Sequence, residues 1–219
     1  MNLKVILVMV GVAAISAASF GQGFRGGFGG PGGGSPTMML MRDDVKTELK
    51  LTDEQKAKLQ EIQDSTRQQF MDLFQGGGFG QDREAMRKAM EPIIKKSTDQ
   101  TNQVLTADQQ KRLKEIWIQM SGNSTVMNAD VQKDLGLTAD QKAKIDDLNK
   151  RQQAANQEVM EKVRSGEIQR EDVRDIMTKN TKVLNDEIGK VLTQAQKDKL
   201  KDMGGKPFVA TDPAPGGGR

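Results

Sequence analysis

An all-α fold is predicted for this chain by three observations. A Leu-Thr-x-x-Gln segment that reads as a helix start recurs along it, and apolar residues spaced three and four apart follow each copy. The third is a composition of 4% aromatic and 29% charged residues, with no Tyr, His or Cys. Such a chain must face water over much of its surface, which suits thin layers of amphipathic helices better than a deep globular core.

An internal repeat sets the organisation. One copy begins MRDDVKTELKLTDEQKAKLQEI at Met41, and the other begins MNADVQKDLGLTADQKAKIDDL at Met127. Further on, NQVLTADQQKRLKEI from Asn102 matches GKVLTQAQKDKLKDM from Gly189. Each unit therefore carries two motifs: Leu51, Thr52, Gln55 and Leu105, Thr106, Gln109 in the first, then Leu137, Thr138, Gln141 and Leu192, Thr193, Gln196 in the second. Thr followed three residues later by Gln is a capping box. The hydroxyl accepts from the N3 amide, and the Gln side chain reaches back to the N-cap amide. Glu54, Asp108 and Asp140 place an acid in the first turn, where the helix dipole favours it. The residues at N4 are Lys56, Gln110, Lys142 and Lys197, so no hydrophobic staple forms and the four leucines are expected to pack between helices.

The helices follow in order. Leu59, Ile62, Thr66, Phe70 and Leu73 mark one long helix, and Met86, Met90, Ile93, Ser97, Thr101 and Val104 the next. In the second unit Ile145, Leu148, Gln152, Ala155, Val159 and Val163 form one stripe, and Val173, Ile176, Asn180, Val183, Leu184 and Val191 another. Gly76–Gly80 parts the first pair, Ser165–Gly166 the second, and Ser121–Thr125 separates the units. Pro92 falls inside a predicted helix and is expected to bend it or delay its start. Each unit reads as short, long, long, short. The expected fold is thus two tandem four-helix units, residues 38–121 and 126–203, in an elongated, thin, cradle-like helical layer.

The ends differ in kind. Lys4 followed by the apolar run Val5–Ala18 is too short to span a bilayer and fits a secretory leader, residues 1–21, cleaved after Ala18 or Gly21. Residues 22–37 are Gly-rich and read as a flexible tether, and residues 204–219 as a disordered Gly/Pro tail.

The missing residue types exclude much chemistry. Without Cys there is no disulfide or thiol nucleophile; without His the usual general base and commonest transition-metal ligand are gone. No nucleophile has a base partner at motif spacing and there is no P-loop, so no catalytic residue, cofactor or metal site is assigned and the chain is not expected to be an enzyme. The 33 basic and 30 acidic residues are well mixed, which argues against nucleic acid as a partner, and no stable membrane insertion is expected. Asp43–Asp44 and Asp146–Asp147 read as solvated faces, Met38, Met39 and Met41 as a packing face, and Trp117 as a core anchor. Arg67, Phe70, Phe74, Arg83, Met86, Arg87, Lys88 and Met90 gather flexible apolar side chains and cations beside the Gly-rich turn, a candidate surface for binding other polypeptides.

The fourfold motif in an exported, helical chain resembles the Spy/CpxP (LTXXQ-motif) family of periplasmic proteins across residues 40–203, with two tandem family-like repeats. The resemblance implies a periplasmic location, a role in the envelope stress response, and cradle-shaped homodimers of long helices. It implies an ATP-independent, holdase-type chaperone for unfolded, misfolded or aggregation-prone proteins. Alternatives within the family are a stress-sensing adaptor that binds the outer domain of a membrane sensor kinase, and a metal-binding resistance protein. The motif carries over to the twelve Leu, Thr and Gln residues above. A typical member has one motif pair and dimerises, whereas here two pairs share one chain. The two units are therefore expected to pair within the chain as a pseudo-dimer, with a homodimer of whole chains as the alternative.

Overall fold

The computed structural model describes residues 35–75 and 83–211. The expected leader (1–21), nearly all of the tether, the Gly76–Gly80 break and residues 212–219 lie outside the described residues. Among those described, all regular structure is helical. A 3-10 turn, Pro36–Met41, leads into α1 (Asp43–Glu48), α2 (Asp53–Gln75), α3 (Arg83–Val104) and α4 (Ala107–Ser121). A second 3-10 turn, Gly122–Met127, leads into α5 (Ala129–Leu135), α6 (Ala139–Arg164), α7 (Val173–Val191) and α8 (Gln194–Met203).

Local chemistry fixes these bounds. Pro36 sits in the first turn of the opening 3-10 segment, and the hydroxyl of Ser35 accepts from the amide of Thr37. Asn128 caps α5 by accepting from the amides of Asp130 and Val131. α1 and α5 end in the same six-to-one and five-to-two closure. The amides of Leu51 and Leu137 donate to the carbonyls of Lys46 and Gln132, and those of Lys50 and Gly136 to Thr47 and Lys133. This closure needs a left-handed residue. Gly136 supplies it at φ 64°, whereas its counterpart Lys50 takes φ 50° with a side chain attached.

The described residues divide into two compact units, one drawn from 35–122 with 197–211 and the other residues 123–196. In the first, α2 and α3 pack as a hairpin, and the opening 3-10 turn packs on α1 and α4. Its buried side chains include Leu40, Val45, Leu51, Leu105, Ile116 and Trp117. In the second, α6 and α7 form the hairpin, and Val126, Val131, Leu137, Ile145, Ile188 and Leu192 are buried.

Several expectations are corrected. The tether does not run to residue 37, because Pro36 already begins a 3-10 turn. The division between the units falls inside α8 and not after residue 203, so the end of α8 belongs with the first unit. Residues 204–211 are not a disordered tail. Side chains from α1 and α4 take up their backbone groups: Arg112 and Gln119 donate to the carbonyl of Lys206, and the carboxylate of Asp44 accepts the amide of Thr211. Finally, Met38 and Met41 are exposed while Met39 is buried, so the three do not share a packing face. At three residues per turn, positions 38 and 41 stack together and away from 39. Pro92 does not mark a helix start either. α3 runs through it from Arg83, with Pro92 itself exposed.

Candidate functional site

All four motifs form complete capping boxes. The amides of Gln55, Gln109, Gln141 and Gln196 donate to the hydroxyls of Thr52, Thr106, Thr138 and Thr193 at 3.2, 3.3, 3.2 and 3.2 Å. Each Gln Oε1 in turn accepts from the Thr amide, at 2.9 to 3.1 Å. The four leucines ahead of them are buried.

The glutamines do more than cap. Gln55 and Gln109 face each other and exchange amide bonds, Nε2 to Oε1, at 2.7 and 3.1 Å. Gln141 and Gln196 do the same at 2.7 and 3.0 Å. The second Nε2 proton of Gln55 goes to the carbonyl of Val104 at the end of α3, and that of Gln141 to Val191 at the end of α7. Gln109 reaches the carbonyl of Leu49 at the end of α1. Gln55 and Gln109 thus use both amide protons and both oxygen lone pairs. The joint staples the α1–α2 corner to the α3–α4 corner and covers carbonyls that a helix end leaves without partners. Capping arithmetic on one helix does not reveal this pairing. The signal in the sequence is the near-equal spacing of the two glutamines, 54 residues apart in one unit and 55 in the other.

Beyond the joint the first hairpin opens out. Between residues 60 and 100 none of the described side chains is buried. Ile62, Phe70, Leu73, Met86, Met90 and Ile93 are half-buried, while Met71 and Ile94 are 40% and 44% exposed. Among the described residues α2 and α3 pack on each other, and an apolar seam stays accessible along the arm. Of the candidate surface residues, Arg67 and Phe70 lie on α2, and Met86, Lys88 and Met90 on α3, with Arg67 and Lys88 exposed. Thr66, within the seam, returns its hydroxyl proton to the carbonyl of Ile62. The side chains of Phe74, Arg83 and Arg87 lie outside the described residues. The second hairpin is closed by Ile145, Val159, Leu184 and Ile188, with an Asn180–Asn156 amide bond across it at 3.2 Å.

The outer faces are laced by ion pairs three or four residues apart, such as Lys58–Glu54 and Lys150–Asp146, both at 2.7 Å. Hydrogen bonding and the charge of Lys58 hold the carboxyl of Glu54 below its usual range, and Glu54 raises Lys58 in return. Among the described residues no three acidic side chains gather as a metal ion would require, and no helix is long and apolar enough to cross a membrane. Trp117 is 2% exposed, as a core side chain. Comparison with family models, with curated proteins and with solved structures gives no match for this chain.

Proposed function

We propose that this chain is a periplasmic, ATP-independent holdase of the Spy/CpxP kind, which binds unfolded polypeptide along its first helical hairpin and carries out no catalysis. The observation that supports this reading is the seam between residues 60 and 100, where large apolar side chains stay accessible on an ordered arm. Flexible thioethers from Met71, Met86 and Met90 adapt to segments of differing shape, and the exposed cations Arg67 and Lys88 attract clients over longer range. Unfolded chains offer scattered apolar residues of no fixed geometry, and a shallow, adaptable surface suits them better than a shaped pocket.

The test is suppression of client aggregation by the purified protein after dilution of a denatured client. Suppression should be present in the parent chain. It should fall several-fold in Phe70→Ser/Met86→Ser/Met90→Ser while the helical circular dichroism persists. If the parent chain has no effect even in several-fold excess over client, the reading is wrong.

A further inference from the structure

We propose that the face of α1 and α4 covered by residues 206–211 is a docking site for extended polypeptide backbone, with the chain's own C-terminal strap as a displaceable occupant. The Gln119 carboxamide donates from Nε2 to the carbonyl of Lys206 at 2.7 Å and accepts the amide of Phe208 at 2.8 Å. One planar carboxamide thus meets a carbonyl and the N–H two residues later, as the N–H and C=O of a single residue do in a parallel ladder. Arg112, itself held by Glu48 and Glu115, donates to the same Lys206 carbonyl at 2.8 Å. At the far end Asp44 accepts the amide of Thr211 at 2.8 Å. Asp44 is fixed by the Nε of Arg42 at 2.9 Å, and both side chains of that ion pair are almost wholly buried, at 4% and 3%.

Each of these bonds ends on the strap's backbone. Lys206, Pro207, Val209, Ala210 and Thr211 have exposed side chains, Val209 at 78%, and Phe208 is half-buried. A site that reads carbonyls and amides in this way takes extended chain with little regard to sequence, the main-chain half of strand-addition recognition. Gly205 is not part of it. At φ 64° it ends α8, and a Cβ there would meet the Glu115 carboxylate. The occupant follows directly on α8, so its effective concentration is on the order of millimolar or above and a segment from elsewhere competes only weakly while the strap is seated. The proposal rests on the holdase reading and adds to the apolar seam a second, backbone-directed contact for the same unfolded clients.

Phe208→Pro in the full chain removes the amide that Gln119 accepts and so weakens the hold on the strap. Binding of a fluorescein-labelled peptide, Lys-Pro-Phe-Val-Ala-Thr, should tighten about tenfold or more in this variant relative to the parent. Phe208→Ala, which keeps the amide, should stay within about twofold of the parent, and adding Gln119→Ala to Phe208→Pro should abolish the gain. The reordered peptide Lys-Pro-Thr-Ala-Val-Phe should bind the Phe208→Pro chain within about threefold of the original. No gain in Phe208→Pro, or a site that accepts only the original order, overturns the proposal. Should Phe208→Pro lose helical signal, hydrogen exchange in the unmodified chain decides. Millimolar peptide should accelerate exchange of the Phe208 and Thr211 amides, and unchanged protection sinks the idea. The aggregation assay reads the apolar seam and the peptide titration reads the strap site, so either can fail alone.

Discussion

At the residue scale, the joint explains why these motifs carry Gln and not Glu. Either side chain can complete a capping box, but a carboxylate has no proton to give the facing carboxamide or the carbonyl of Leu49. Gln109→Glu should therefore cost about 1–3 kcal/mol in urea denaturation, whereas a purely capping role predicts a near-neutral change. Lys50 offers a test of opposite sign. It holds the left-handed position that its repeat partner fills with Gly136. Lys50→Gly should stabilise by about 0.5–1 kcal/mol, and the reverse change at Gly136 should destabilise. The threonine caps are legible from the sequence because a cap is a local event over four residues. The glutamine pairing is not, because it exists only once two distant corners have met.

At the element scale, the arms are long helices stabilised from outside by ion pairs and from inside by a narrow stripe. The α3 ladder lacks a donor at Pro92, an exposed site where no packing requires the ring. Pro92→Ala should raise stability by about 1–3 kcal/mol, read from the urea midpoint at unchanged slope. The Glu54–Lys58 pair sets a pH dependence of known sign. Glu54 is lowered, so its contribution is present above the unfolded value and lost as pH falls through the folded one. Lys58 is raised, so its part is present below the unfolded value and disappears as pH rises through the folded one. Both groups stand in solvent, and carboxyl chemical-shift titration of Glu54 with and without Lys58→Ala is the sensitive measurement. Periodicity placed all four long helices and the break at Ser165–Gly166, since burial of a stripe repeats every three to four residues.

At the scale of the whole molecule, the all-α class and the repeat were readable, while the ordered stretch 204–211 was not. Its Gly and Pro residues carry the local signature of loop. What holds it are bonds to residues 87, 89, 94 and 167 positions away, which no window along the chain contains. The apolar stripe of the first hairpin was legible in part. The half-buried Phe70, Met86 and Met90 stand where spacing put them, but how exposed each remains depends on the packing of α2 against α3, which spacing along one helix does not contain. Trp117, 2% exposed beside buried Ile116 and Ile118, anchors the first unit's core. Trp117→Phe should lower stability by about 1–3 kcal/mol while leaving peptide binding at the strap site unchanged.

The paired carboxamides also make the arms interchangeable parts. Both units keep the joint although α2 and α3 have 23 and 22 residues while α6 and α7 have 26 and 19. A clasp that closes at the base is indifferent to how the residues of an arm are divided between its two helices. Evolution, or an engineer, can therefore move the turn toward one helix or the other and reshape the exposed apolar seam without disturbing the paired carboxamides.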